Sequence, residues 1–366
     1  MQVVVFGGLA ESLINFRGPL LEALTRVAST HAMAGKSDFI SDPLSKMNVG
    51  FSPAPIARSG LNPFADFWLV VHLIREWYRR KPDKVLAYTV KPVIWGGITV
   101  GLFARIEFYA LITGLGYSFD GGNAVRRLLR SLVIALYRLA LKRARAVIFQ
   151  NKDNMALFLR LGICTTAQAV VVNGSGVDLE RYQYTEQPSG AEITFLMIAR
   201  LLGAKGVKEY IEAASIVRKR HPNAVFQFVG PEDPSPDGLT VKVFDDGPVL
   251  YLGSQRDVRP FIKNCSVYVL PSYHEGMPRS TMEAMSMGRP IITTDAVGCK
   301  DTVVDGRNGF KVPVGDANEL AAKMIWCIDN QKDLSDMGRE SRELAECRFD
   351  VDSVNSKILE IMGLRD

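Results

Sequence analysis

The stretch EGMPRSTME sets Glu275 and Glu283 eight positions apart around Gly276, Met277 and Pro278, just after the apolar run VYVLPS. A β-rich run that ends in Pro and Gly before a helical pattern marks the carboxyl end of a parallel strand, where open α/β sheets hold their ligands. Pro278 or Arg279 opens the helix, and its free N–H groups make an anion site. Glu283 then lies about a turn inside the helix and Glu275 in the loop before it. A carboxylate accepts two hydroxyl hydrogen bonds, so ribose and sugar hydroxyls suit the pair. Two other readings stay open: Glu283 as a helix-dipole carboxylate, and the two glutamates as the acid and base of a glycosidase. The second must explain an anion cradle and two cations beside them.

Those cations are Arg200 and Lys205 in ARLLGAKG, five residues apart across a turn containing Gly203. Together they suit a diphosphate, Arg by its planar fork and Lys as a point charge; the alternative is a pair of solvated loop cations. The first apolar run, QVVVFG, ends in Gly7-Gly8 and leads into ESLINFRGP, where small residues let backbone approach a ligand and Pro19 suits an early helix position. A plain tight turn reads equally well. His274 sits in a loop and reads as solvated.

These residues need elements to hold them. The first half alternates strand and helix: QVVVFG, RGPLLEALTRVA, FWLVVHLIREWYRR ahead of KVLAYT, and RRLLRSLVIALYRLALKRA ahead of AVIFQN. Between His31 and Pro63 the pattern predicts a strand, a turn and a second short strand. A break follows at VVNGSGVDLERYQYTEQPSGAE. Alternation then restarts at EITFLMIARL, with helix VKEYIEAASIVRKRH, strands AVFQFVG and VLYLG, helix DVRPFIKNC, strand VYVLPS, helix STMEAMSMG, strand PIITT and helix ANELAAKMIWCIDN. Short β-rich runs between amphipathic helices predict parallel, doubly wound sheets, and 366 residues exceed what one core usually serves. Two α/β domains facing across a cleft are expected.

The five cysteines are scattered with no CxxC pair, which argues against a zinc cage or a disulfide framework and for a reducing, cytoplasmic location. MQVVVFGGLA has no basic n-region and reads as a buried strand, not a leader. VIWGGITVGLFARIEFYALI comes nearest to a spanning helix but contains Arg105 and Glu107. Net charge is +5, and REWYRRKPDK, RRLLRSL and RLALKRARA cluster between Arg75 and Arg145, mixing cations with aromatic and apolar residues. That suits an anionic partner such as a bilayer surface or a phosphate-bearing substrate; the alternative is solvated basic helix faces. No helix-turn-helix, zinc-finger or RNA-binding signature is present, so nucleic acid is not expected.

The stretch EGMPRSTMEAMSMGRPIITTDAVGCKDTVVDGRNGFKVP resembles the signature of the family-4 retaining glycosyltransferases, with Glu275 and Glu283 on its E-x7-E positions. IARLLGAKGVKEYIEAA resembles the family's diphosphate motif, YLGSQRDV its nucleobase loop and NGSGVDLERY its interdomain stretch. In the first half, ESLINFRGPLLEAL, SGLNPF, YTVKPVIWG and LITGLGYSF resemble bacterial enzymes that extend undecaprenyl-diphosphate-linked sugars in capsule, O-antigen or N-glycan assembly.

The resemblance implies the GT-B fold: an acceptor domain over residues 1–173, a nucleotide-sugar domain over 174–345, and a final helix within 346–366 that crosses back. It implies Arg200 and Lys205 on the donor diphosphate, Glu275 near the donor sugar, Glu283 on the ribose, and Gly276, Met277 and Pro278 under phosphate and sugar. Gly8 and Arg256 join the donor side; Ser12, Asn15, Arg17, Lys91, Thr113 and Gly114 are acceptor-side candidates, and Trp68, Trp77 and Tyr78 read equally as candidates for docking at the membrane or as core residues. No cofactor and no metal are expected, because the two cations and the helix N-terminus take the charge of the departing diphosphate, and Asp245-Asp246 lies in a Gly/Pro loop instead of at a strand tip. The expected activity is retaining transfer of a sugar, an N-acetylhexosamine among the candidates, from a nucleotide sugar, UDP-linked by preference, to an undecaprenyl-diphosphate-linked saccharide. The enzyme is expected to be cytoplasmic and peripheral on the inner membrane. A UDP-sugar 2-epimerase and a non-catalytic sugar-binding protein share the two-domain outline.

Overall fold

A computed structural model of the chain describes residues 1–56, 62–114, 124–190 and 192–364, excluding the side chains of 124–126. Residues 59–61 of SGLNPF, 115–119 of LITGLGYSF, Ala191 of the expected linker and the side chain of Arg126 therefore lie outside the described residues.

The chain divides into two units, Met1–Ser175 with Asp352–Asp366, and Gly176–Val351. The first contains β1 (Gln2–Phe6), α1 (Glu11–Asn15), α2 (Gly18–Val27), β2 (Ser29–Ala34), α3 (Ser41–Lys46), β3 (Gly50–Pro53), α4 (Pro63–Arg80), β4 (Lys84–Tyr88), α5 (Val90–Val100), β5 (Glu107–Ile112), α6 (Ala124–Leu141), β6 (Ala146–Phe149), α7 (Lys152–Arg160) and β7 (Ala169–Val171). Its strands form one parallel sheet in the order β3-β2-β1-β4-β5-β6-β7. The second contains β8 (Thr194–Ile198), α8 (Val207–Arg220), β9 (Val225–Val229), β10 (Val249–Tyr251), α9 (Arg259–Asn264), β11 (Val267–Leu270), α10 (Arg279–Ser286), β12 (Ile291–Thr294), β13 (Gly309–Val312), α11 (Ala317–Asp329) and α12 (Leu334–Phe349), with parallel order β10-β9-β8-β11-β12-β13. The last helix, α13 (Val351–Ile361), carries the chain back into the first unit.

Parallel sheets covered on both faces read as unbroken apolar runs, and β1 shows why. Val4 and Phe6 enter the core shared with Leu69, Leu73 and Trp77 of α4 and Val93 of α5, while Val3 and Val5 face Leu20, Leu21 and Leu24 of α2 and Ile358 of α13. In each sheet the strand order reverses direction at one point, between β1 and β4 and between β8 and β11. Those are the places where a doubly wound sheet opens a crevice at its carboxyl edge.

Several expectations need correction. The segment after β2 is not a simple turn, because α3 occupies it. Pro43, which reads as a breaker, is the third residue of that helix, where its missing N–H has no intrahelical partner to lose. Trp77 is not a surface aromatic: it is fully buried, and its indole Nε1–H donates to Thr99 Oγ1 at 2.9 Å. Helices α1, α5, α7 and α12 and strands β5 and β13 are additional to the elements read from the pattern.

Candidate active site

In the second unit the segments following β8 and β11 lie directly against each other. After β8, Ala199–Leu202 lead into a 3-10 turn, Gly203–Lys205, and then Gly206 at φ +74°. A Cβ at Gly206 would stand 2.1 Å from the carbonyl oxygen of Pro271, so only glycine lets this turn rest on the end of β11. The backbone N–H of Tyr273 donates to the carbonyl of Ala204 at 2.9 Å and completes the seam.

Two cations project from the β8 segment, each toward an acid. Lys205 Nζ is paired with Glu275 Oε1, which also accepts from Ser272 Oγ at 2.9 Å. Arg200 Nη1 is paired with Asp233 Oδ2 in the loop after β9. Burial works against the Asp233 charge, but hydrogen bonds from the hydroxyl and backbone N–H of Ser235, with the Arg200 guanidinium, hold its carboxyl down to about 2. Glu275 is fixed from behind as well: its N–H donates to the carbonyl of Val297 at 2.9 Å, and Gly298, φ +78°, packs against the carbonyls of Glu275 and Gly276.

Helix α10 begins at the expected place. Pro278 is its N-cap residue, extended at φ −73° and ψ 110°, and no side chain caps the helix, so its first N–H groups are not closed by a cap. Ser280 ties the first turn to β8 by donating to the carbonyl of Ile198 at 3.0 Å, and the Tyr268 hydroxyl donates to Ser280 Oγ at 2.6 Å. Glu283 is buried; Arg279 Nε donates to its Oε1 at 2.9 Å, and the Tyr182 hydroxyl bonds its carboxylate. Burial pushes the Glu283 carboxyl up, against the opposing pull of Arg279 and Tyr182.

The fold thus brings Arg200, Lys205, Glu275, Gly276, Met277, Pro278 and Glu283 to one switch point. Arg256 is exposed in the loop after the edge strand β10, next to the Asp257–Arg259 ion pair. Ser272, Asp233 and Tyr182, which hold the charged groups, were not singled out from the sequence. Asp233 carried a signal, since GPEDP follows the carboxyl end of a strand.

The first unit has its own cluster at the β1/β4 switch point, arranged around Tyr88. Ser12 Oγ donates to the carbonyl of Leu9 at 2.5 Å, which leaves the Tyr88 hydroxyl, 2.8 Å away, as donor to Ser12. Arg17 is buried, with its guanidinium carbon 5.2 Å from the centre of the Tyr88 ring. A Cβ at Gly7 would lie 2.4 Å from the Tyr88 hydroxyl, and one at Gly8 would lie 3.1 Å from Thr89 Oγ1. Gly8 lies in the first unit, in the segment that leads to Ser12, Asn15 and Arg17. Thr89 itself has φ +69°, a left-handed backbone that non-glycine residues seldom adopt outside functional turns. Thr113 and Gly114 follow β5, the next strand along. Asn15 is exposed at the end of α1, and Lys91 is paired with Asp66 of α4 at 2.9 Å.

Among the described residues no group of three or more His, Cys, Asp or Glu is placed to hold a metal ion. No described helix is long and apolar enough to cross a membrane.

Two Rossmann-like sheets of this order make the GT-B fold, and residues 192–330 match the family of glycosyl transferases group 1, which sets the class: the chain is a glycosyltransferase. Among curated relatives, the chain is 27% identical over 345 residues, 91% of its length and 90% of the relative's, to the N,N'-diacetylbacillosaminyl-diphospho-undecaprenol alpha-1,3-N-acetylgalactosaminyltransferase of Campylobacter jejuni. It is 24% identical over 293 residues, 76% of this chain and 74% of the other, to the UDP-Gal:alpha-D-GlcNAc-diphosphoundecaprenol alpha-1,3-galactosyltransferase of Escherichia coli. Its fold matches that of Anabaena Alr3699/HepE in complex with UDP and glucose, with a TM-score of 0.79 over 99% of both chains at 18% identity.

Proposed function

We propose that this chain transfers a sugar, an N-acetylhexosamine by preference, from a UDP-sugar to an undecaprenyl-diphosphate-linked saccharide, with retention of anomeric configuration, during assembly of a surface polysaccharide or glycan. The observation that carries the reading is the convergence of Arg200, Lys205, Glu275 and the start of α10 at the β8/β11 switch point. The donor diphosphate lies on the α10 N–H groups with Arg200 and Lys205 against its charge, and Glu283 accepts the ribose hydroxyls. Glu275, held by Lys205 and Ser272, aims at the hydroxyls of the sugar. As the glycosidic C–O bond breaks, fixed dipoles and two cations stabilise the charge that develops on the diphosphate. The departing phosphate oxygen takes the acceptor hydroxyl's proton, so the new bond forms on the face the nucleotide leaves. In the first unit, the β1/β4 cluster around Tyr88, Ser12 and Arg17 receives the acceptor.

The test is incubation with UDP-GalNAc, UDP-GlcNAc or UDP-Gal and an undecaprenyl-diphosphate-linked saccharide in detergent, reading product mass and the anomeric coupling of the new linkage. Conversion of donor with no acceptor present would point to an epimerase, and stoichiometric binding without turnover to a receptor; either result defeats the proposal. The two relatives described above are transferases, which does not favour those alternatives.

A further inference from the structure

The turn that carries Lys205 is made of residues that cannot hold it in place. Gly203–Lys205 is a single 3-10 turn preceded by Leu202, and no side chain at that position caps its N–H groups. The cap comes from the segment that follows β9. The N–H of Gly203 donates to the backbone carbonyl of Asp237 at 3.0 Å, and the N–H of Ala204 donates to Asp237 Oδ2 at 2.7 Å. One aspartate, 33 positions along the chain from Ala204, thus takes both leading N–H groups of the turn, the part that an N-cap residue plays in a helix. The carbonyl of Ala204 accepts from the N–H of Tyr273 at 2.9 Å, so the residue before Lys205 is pinned through both of its backbone polar groups.

The segment that supplies Asp237, residues 231–241, is built to keep its shape. It meets the β8 segment twice, in a parallel bridge at Leu201–Glu232 and an antiparallel one at Leu202–Gly238. The N–H of Leu201 donates to the carbonyl of Pro231 at 2.9 Å, and the N–H of Leu239 donates to the carbonyl of Leu201 at 3.0 Å. Pro231, Pro234 and Pro236 fix φ at three of its positions. The N–H of Ser235 closes on Asp233 Oδ1 at 3.0 Å, and the N–H of Val241 donates to Glu232 Oε1 at 2.8 Å. Its two aspartates stand four residues apart, and each serves one cation: Asp233 pairs with Arg200 itself, and Asp237 holds the backbone behind Lys205. The first pair leaves Arg200 open to a ligand, since its side chain is 45% exposed while that of Asp233 is 3% exposed. Fixed charges stabilise a phosphate only where its oxygens will stand, and a misplacement of about 1 Å costs on the order of 100-fold.

We infer that residues 231–241 brace both donor-phosphate cations, and that Asp237 is the positioning residue for Lys205, acting through the Gly203–Lys205 turn without touching substrate. The inference rests on the donor site proposed above, and its test separates the two.

The purified full chain is titrated with UDP and with uridine. Asp237→Ala should weaken UDP binding by roughly tenfold and leave uridine binding unchanged, because uridine has no phosphate for Lys205 to meet. Asp237→Asn keeps an oxygen for the Ala204 N–H and should bind UDP within about threefold of wild type. Lys205→Ala should lose roughly tenfold as well, and adding Asp237→Ala to it should cost little more, since the aspartate acts through the lysine. If Asp237→Ala does not fold, Gly203→Ala decides. Its Cβ would stand 2.7 Å from Asp237 Oδ1, the far end of a side chain, which can swing away from Ala204 while the fold stays intact. That variant should reproduce the loss of UDP binding. Wild-type UDP affinity in the folded Asp237→Ala or Gly203→Ala protein, an equal loss for uridine, full additivity with Lys205→Ala, or Asp237→Asn as weak as Asp237→Ala would overturn the inference alone. Wild-type UDP affinity in Lys205→Ala would overturn the donor-site reading, and the inference with it.

Discussion

Replacing Glu283 by glutamine keeps the shape of the side chain and removes its charge, which separates a binding role from a packing role. The carboxylate lies within α10, buried, with Arg279 Nε 2.9 Å from one oxygen and the Tyr182 hydroxyl bonded to the group. A carboxylate that accepts two ribose hydroxyls makes two charge-assisted bonds, whereas an amide offers one neutral acceptor. Losing one such bond and weakening the other costs about 2–3 kcal/mol, or roughly 30- to 150-fold in Kd for UDP. The effect on folding should be small. Burial already pushes this carboxyl up, so removing the charge relieves part of its desolvation while it weakens the Arg279 pair. A net change of no more than about 1 kcal/mol shifts Tm by about 2–4 °C. Isothermal titration calorimetry with UDP and a thermal melt give both values for each protein. Wild-type affinity for UDP in a folded E283Q would refute the ribose assignment, and a collapse of Tm with unchanged affinity would make Glu283 a structural group.

Three other outcomes follow from the geometry. Lys205→Ala should lower the transfer rate by about 10²- to 10³-fold, as for loss of one oxyanion donor, in a continuous assay of UDP release. Gly206→Ala combines φ +74° with a Cβ 2.1 Å from the Pro271 carbonyl, and should cost ~2–4 kcal/mol by chemical denaturation. His31 is held neutral in the first unit, since burial and the nearby Arg80 bring it down to about 4 while the unfolded chain titrates near 6.5. A base depressed in the folded state contributes stability that is present above the unfolded value and lost as pH falls toward the folded one. Stability should therefore drop by about 3 kcal/mol between pH 6.5 and 4, and His31→Gln should flatten that slope in denaturation curves measured across this range.

The two-sheet build was legible because strands such as β1, β9 and β11 are covered on both faces and so read as apolar runs closed by Gly or Pro. The same punctuation located Arg200, Lys205 and Glu275, which each follow a strand by a few residues, and Glu283 in the helix that opens after β11. What the pattern hid was set by tertiary contacts. Helix α5 contains Pro92, Gly96 and Gly97, which argue against a helix locally. Gly97 is needed because a Cβ there would meet the Ala140 carbonyl of α6 at 2.5 Å, so the helix exists through close packing against propensity. Trp77 and Trp68 lie on one amphipathic helix, and only packing shows that the first is core and the second surface. The partners Tyr182 and Tyr88 come from distant parts of the chain, and a single sequence holds no sign that they meet the groups they hold.

The closing residues bear on the order in which the protein is made. Val354, Ile358 and Met362 complete the apolar layer over β1, β4 and β5, and the Tyr109 hydroxyl donates to the carbonyl of Met362 at 3.3 Å. A chain emerging from the ribosome must therefore wait, with one side of its first sheet covered by α2 but not yet by α13, until some 175 intervening residues have been synthesised. The first unit is translated before the second and finished after it, and a truncation before Asp352 would leave it the more aggregation-prone of the two.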